Sequence, residues 1–452
     1  METILFKALQ LIISLSILVF IHELGHFMWA RIFKVGVEKF YLFFDAYNFA
    51  LLKWNKEGIF VCNRRVSARP NPSDTEYGIG WVPLGGYCAI VGMVDETHDA
   101  EHADTQRADA FAQKGKFPQF MIMVGGVLNN LILAVIIYIC MAWHWGTDII
   151  RIQDLPFGVE YSEYAQQIGF RPGDQIIAVD GRETDYTRLG SNLLLANDVT
   201  VRRDGQEVLI ALPDTIGQVF LRDNIQLELF AIARMPFVID SIMPGSPAEQ
   251  AGLMAGDSLT MLRHEVTLAL MEHKGDSLRV DFYRADSLMS TTLLVSDDGK
   301  MGAFFHNFMT PDVFTHIDYS FLEAIPAGIR RGWNMLYNYV RQFKLVFTKE
   351  GAESLGGFGT MGSIFPDTWQ WMQFWAMTAF FSVALAFMNI LPIPGLDGGH
   401  IFILLIEAII RRPISDKAKE RAQMIGFAII IALMLFVNLN DIWKFIIQPL
   451  FG

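Results

Sequence analysis

Five residues near the N-terminus, His22-Glu23-Leu24-Gly25-His26, carry the strongest chemical signal in the chain. On a helix, positions i and i+4 share a face, so both imidazoles can reach one ion. Glu23 projects from the adjacent position and can act as general base toward a water attacking at that ion. A metal carrier would need the two ligands but not the neighbouring carboxylate. A catalytic zinc normally takes three protein ligands and keeps one position open. No histidine follows His26 closely, so the third ligand has to come from a distant segment.

The best source is the stretch from Asn389 to His400, where an apolar run is broken by two prolines and three glycines. Non-helical backbone at membrane depth is tolerated only when buried in protein or lining a wet cavity. Asp397 sits in that break, where an uncompensated carboxylate would be costly. Spacing alone leaves Asp397 and His400 both open as the third ligand. The remaining histidines, His98, His102, His144, His264, His273, His306 and His316, lie outside these segments and read as structural or solvated.

These segments need a scaffold, and composition points to lipid. Hydrophobic residues make up 52% of the chain and charged residues 19%, more apolar than a typical soluble domain. The excess gathers in four stretches, each near the ~20 residues that span a bilayer core. They run from Ile4 to Ile21, from Phe117 to Trp143, from Trp371 to Leu391 with a further run from Ile401 to Ile410, and from Met424 to Val437, reaching Ile447 if the polar end is counted. The first has no basic cluster before it and no small-residue cleavage site after it, so it reads as a retained helix rather than a signal peptide. The loop holding Arg411, Arg412, Lys417, Lys419 and Arg421 is expected to be cytoplasmic. That puts the long region between the second and third spans outside, with both termini. The net charge of -12 and the lack of a basic run exclude nucleic acid as a partner. Cys62, Cys88 and Cys140 form neither a disulfide framework nor a zinc-ribbon spacing.

Residues 148–310 read as soluble and mainly β, with turn signals between short strands. Within them Ala165–Asp174 aligns without gaps to Ala248–Asp257, matching at Ala, Gln, Gly, Gly and Asp. This predicts two tandem copies of one small domain. Phe170–Gly181 in the first and Pro244–Leu253 in the second resemble PDZ domains. That resemblance implies either a peptide clamp working by strand addition or a steric gate. The segment from Tyr319 to Lys349, rich in aromatic and basic residues, predicts an amphipathic helix at the membrane surface. Gly356–Gly362 reads as a flexible connector.

The pairing of His-Glu-Leu-Gly-His with Asn389-x-x-Pro-x-Pro-x-x-Asp397-Gly resembles the site-two protease family of intramembrane zinc metalloproteases. Pro83–Tyr87 and Val124–Asn130 extend the resemblance over nearly the whole chain. The chain departs from the family at Gly356-Gly-Phe-Gly-Thr360, where a Gly-Pro pair is common. The resemblance implies Zn²⁺ held by His22, His26 and Asp397, with Glu23 as the base, and so favours Asp397 over His400. It implies that Asn389 contacts the substrate backbone or the oxyanion. It also implies a membrane-associated β-hairpin over Trp81–Val94, with Gly85 and Gly86, that pairs with an unwound substrate. The expected substrates are membrane proteins with a single transmembrane helix, such as an anti-sigma factor or signal-peptide remnants.

The expected fold is a polytopic α-helical membrane protein with about four transmembrane helices and two inserted β-rich PDZ-like domains. In order these are a first transmembrane helix (1–33), a cytoplasmic-side loop with the hairpin (34–116) and a second transmembrane helix (117–145). The PDZ-like domains (146–225 and 226–312) and the amphipathic helix with its connector (313–370) follow. A third transmembrane segment (371–410), a basic cytoplasmic loop (411–422) and a fourth transmembrane helix with the C-terminus (423–452) complete the chain. The expected location is the cell inner membrane, multi-pass in the lipid bilayer, with the PDZ-like domains and any peptide ligands outside the cytoplasm.

Overall fold

The computed structural model describes residues 2–93, 107–222, 230–310 and 313–447. The chain divides into two compact units, one formed by residues 1–146 with 318–452 and the other by residues 147–317. His98, His102, Val94 and the expected boundary at 225–226 lie outside the described residues.

In the first unit four helices among the described residues are long and apolar enough to cross a membrane: Thr3–Ile32, Lys116–Trp145, Trp371–Ile390 and Lys417–Ile447. The first helix runs unbroken from Glu2 to Ile32, so His22 to His26 lie inside it rather than at its end. Gly25 is needed there because the helix crosses the second span at touching distance. A Cβ on Gly25 would meet the Gly125 carbonyl oxygen at 2.2 Å. The third span stops at Ile390, and Leu391, which precedes Pro392, is extended at ψ 142°. Steric contact with a following proline ring forces that geometry. Helix resumes at Asp397 and continues to Ile410.

Between the first two spans lies a six-stranded sheet: β1 (Val37–Phe44), β2 (Ala50–Asn55), β3 (Gly58–Val61), β4 (Arg64–Ser67), β5 (Glu76–Gly80) and β6 (Val82–Ile90), in the order β4-β3-β2-β5-β1-β6. The expected hairpin is therefore an edge strand. β6 pairs antiparallel with β1, from Val37↔Ile90 to Phe44↔Val82, because β1 inserts between β5 and β6. Alternating residues identify a strand but not its partner.

The helix Phe321–Phe343 lies in the segment expected to form an amphipathic helix. It packs against the second and third spans. A Cβ on Gly328 would meet Ile139 at 2.5 Å, and the Tyr339 and Phe343 rings lie 5.5 and 5.1 Å from Phe387. Ala324, Gly328 and Gly332 recur at four-residue spacing and are buried. Such small-residue seams allow close helix contact in membranes, and the aromatic and basic content of the segment hides this one.

The second unit has two hydrophobic cores, one around Phe170, Leu193 and Phe230, the other around Ile239, Ala248 and Leu293. Its ends meet, since Thr147–Ile149 pairs antiparallel with Thr315–Ile317. The two copies share a capped short helix and an aspartate–arginine pairing. Ser162 and Ser246 cap the short helices Glu163–Gln167 and Pro247–Gln250. Asp174 receives two 2.7 Å bonds from Arg203, which also donates to the Gly169 carbonyl. Asp257 receives the same two bonds from Arg284, which donates to the Gly252 carbonyl.

Burial alone would raise both carboxyls. The guanidinium bonds and the backbone N–H groups of Arg171 and Met254 instead hold them below the ordinary 3.8. A carboxyl depressed in the folded state contributes stability that is complete above its unfolded value and fades as pH falls through its folded value. Amide-exchange protection of Gln175–Val179 should therefore weaken as pH drops below 3.8. Asp174→Asn should cost roughly 2–3 kcal/mol at neutral pH and flatten that acid dependence. Unchanged protection in Asp174→Asn would contradict this.

Candidate metal centre

The first span carries His22 and His26 one turn apart and buries both. Asp397 reaches them from the first turn of the helix that resumes after the proline break. His22 Nε2 lies 3.2 Å from His26 Nε2, and Asp397 Oδ2 lies 3.1 and 3.4 Å from those nitrogens. The three ligand atoms fall within 4.8 Å of one another. A point equidistant from them in their plane is about 1.9 Å from each, and one slightly off the plane meets the ~2.0–2.2 Å of zinc–nitrogen and zinc–oxygen bonds. Asp397 Oδ2 is buried and makes no hydrogen bond. Two imidazoles and such an oxygen, all aimed at one point, fit a divalent zinc and leave room for further ligands.

The rear of each imidazole is held. The Ile122 carbonyl accepts from His26 Nδ1 at 2.8 Å. The Asn130 side-chain amide lies 3.3 Å from His22 Nδ1. The atom at that distance is the amide nitrogen; with Nε2 turned to an ion, Nδ1 carries the proton, and a half-turn of the Asn130 amide would present its unpartnered oxygen as the acceptor. Asn130 is fully buried, and its backbone carbonyl accepts from the Ser382 hydroxyl at 2.7 Å. This ties the second span to the third beside the site.

The centre opens onto a cavity of about 280 Å³ whose wall includes His22, Glu23, His26, Asn389 and Asp397. The Asn389 amide nitrogen is 3.3 Å from His22 Nε2. Gly86 of β6 reaches the same wall, whereas Gly85 does not. Gly85 has φ +151° and packs against the Phe44 ring. Tyr87, also on the wall, donates to Asp45 at 2.9 Å. Burial and that bond push its phenol above the usual range, so it stays neutral. His400 faces the cavity but its Nε2 lies 3.0 Å from the Gln423 amide nitrogen, outside the converging group of three.

Ile122, Gly126 and Asn130 escaped the reading of the sequence as site residues. A Cβ on Gly126 would stand 2.5 Å from His26 Nε2 and 2.6 Å from His22 Cε1. Glycine at 126 is thus what lets the second span pass close behind His22 and His26. The available signal was the Gly-Gly pair inside an apolar span, where close backbone approach is the usual reason for glycine.

The chain is similar to known proteins over most of its length. The model of peptidase family M50 matches residues 10–433. A protein of Xylella fastidiosa named "Putative zinc metalloprotease" is 28% identical over 96% of this chain and 97% of its own. The "Regulator of sigma E protease" of Haemophilus influenzae is 25% identical over 95% and 97%. The "Protease RseP" of Yersinia pestis is 26% identical over 98% and 99%.

Proposed function

The chain belongs to peptidase family M50, and from that premise we propose that it holds zinc at His22, His26 and Asp397 and cuts single-span membrane proteins within their transmembrane segments, with Glu23 as general base. It is a zinc metalloprotease with four helices, among the described residues, long and apolar enough to cross a membrane, and in this reading a multi-pass protein of the inner membrane. The observation that carries the site assignment is the convergence of three ligand atoms inside the membrane-spanning unit.

Zinc supplies Lewis-acid polarisation of the scissile carbonyl and acidifies the attacking water. Glu23 takes the proton from that water and passes it to the departing amine. Asn389, 3.3 Å from His22, donates its amide N–H to the carbonyl oxygen as charge gathers there. A helical peptide bond is shielded by its own hydrogen bonds, so the substrate has to become extended first. The outer edge of β6 at Gly86 offers it a strand to join.

The two repeats of the second unit are PDZ-like in this reading and lie outside the cytoplasm. The basic stretch Arg411–Arg421 supports that orientation. The relative named for sigma E regulation makes an anti-sigma factor a natural substrate class.

The test is cleavage of a single-span substrate by purified enzyme in liposomes. Chelation with 1,10-phenanthroline should abolish cleavage, and added zinc should restore it. Cleavage that persists without metal would refute the proposal.

A further inference from the structure

Apart from the metal cavity, the first unit has a groove of about 260 Å³ between the start of the second span and the helix Asp397–Ile410. Phe117 and Phe120 line it from the span, and Leu404, Leu405 and Ala408 from the helix. Lys116, the first residue of the span, is the one polar member of the wall. Phe117 and Leu405 are exposed. On helices that lie in a membrane, the medium against such residues is lipid.

Positive charge gathers at the same place. Glu407, the residue before Ala408, is buried and pairs with both Lys116 and Lys419, the latter at 2.7 Å. Two ammonium groups against one carboxylate leave a positive charge uncompensated. The Lys116 side chain stays half-exposed, so it can meet a second anion. The Ile414 N–H donates to the Glu407 carboxylate at 3.0 Å, which folds the chain after the helix back toward the helix end. Arg411 and Arg412 lie within that fold, exposed and in no ion pair among the described residues. Three basic side chains thus border an apolar groove.

We infer that this groove holds an acyl chain of one anionic phospholipid, whose phosphate pairs with Lys116, Arg411 and Arg412. A concave apolar wall facing lipid is filled by a chain, and basic groups clustered at helix ends select an anionic headgroup. A soluble anion could meet the charges but has nothing to place in the groove. A neutral lipid could fill the groove but leaves the charge unanswered. The bound lipid would bridge the second span and the helix that begins at Asp397, about three turns from that residue. The inference goes beyond the proteolytic reading and requires only that these helices lie in a membrane.

The probe is an equimolar mixture of dioleoylphosphatidylglycerol and dioleoylphosphatidylcholine, added to the full-length enzyme in detergent. Native mass spectrometry counts the lipids each chain retains. One phosphatidylglycerol should be held, in preference to phosphatidylcholine by about tenfold. Arg411→Gln with Arg412→Gln should bring the two lipids close to parity. Arg64→Gln with Arg65→Gln, which removes two exposed arginines of the sheet instead, should keep the preference. Ala408→Phe fills the groove from an exposed position and should lose the held lipid although every charge remains. Circular dichroism confirms that each variant is folded. Equal retention of both lipids, a preference unchanged by loss of Arg411 and Arg412, or undiminished lipid in Ala408→Phe would overturn the inference. So would displacement of the lipid by millimolar inorganic phosphate, which would mark a site for soluble anions. A dimer lost in Ala408→Phe, with no lipid preference in the wild type, would place a second copy of the chain in the groove and equally overturn it.

Discussion

Glu23→Gln is expected to keep its zinc and lose cleavage by about 10²–10⁴-fold. The substitution preserves the size of the side chain and leaves His22, His26 and Asp397 converging as before. It removes only the carboxylate that receives the proton, on a wall shared with the metal ligands. The measurement is single-turnover cleavage in liposomes beside metal analysis of the same sample. Full activity in Glu23→Gln would move the base elsewhere in the cavity. Loss of zinc together with activity would make Glu23 part of the metal's support instead.

A second large effect is expected from Gly126→Ala, a change that touches no ligand. Alanine is the better helix former by about 1 kcal/mol, so the second span itself should be stabilised. The added methyl, however, would stand 2.5 Å from His26 Nε2 and 2.6 Å from His22 Cε1, distances that force the imidazoles aside. Displaced ligands typically lower metal affinity by about 10–100-fold, and cleavage should fall with it. Gly362→Ala serves as the control, because its Cβ would make only an ordinary 3.8 Å contact with Leu11. Chelator competition gives the affinities. Equal zinc affinity in Gly126→Ala and Gly362→Ala would show that the second span does not confine the site.

What could be read from the sequence follows the range of the interactions. The i, i+4 histidines and their neighbouring carboxylate depend only on helical periodicity, which is local. The broken third span was legible because two prolines and three glycines cannot continue a helix. The duplication in the second unit was legible from matched Gly and Asp positions, which serve one repeated aspartate–arginine pairing. The arginines themselves, Arg203 and Arg284, were not, because they sit 29 and 27 residues beyond their aspartates.

Non-local packing accounts for the rest. β6 bonds to a strand about forty residues earlier, and no pattern within Trp81–Val94 names that partner. The face of Phe321–Phe343 that meets the second span is marked by glycines, which a count of aromatic and basic residues passes over. Asn130 and Gly126 lie beside His22 and His26 only because Gly25 and Gly125 let two helices cross there.

The choice between Asp397 and His400 is where the account is most exposed. They lie three positions apart, and both line the same cavity. Asp397 Oδ2 lies 3.1 Å from His22 Nε2, while His400 is engaged with Gln423. The deciding measurement is zinc content per chain in purified wild type, Asp397→Asn and His400→Ala. The account predicts one zinc in wild type and in His400→Ala, and depleted zinc in Asp397→Asn. Full zinc in Asp397→Asn with depletion in His400→Ala would contradict it.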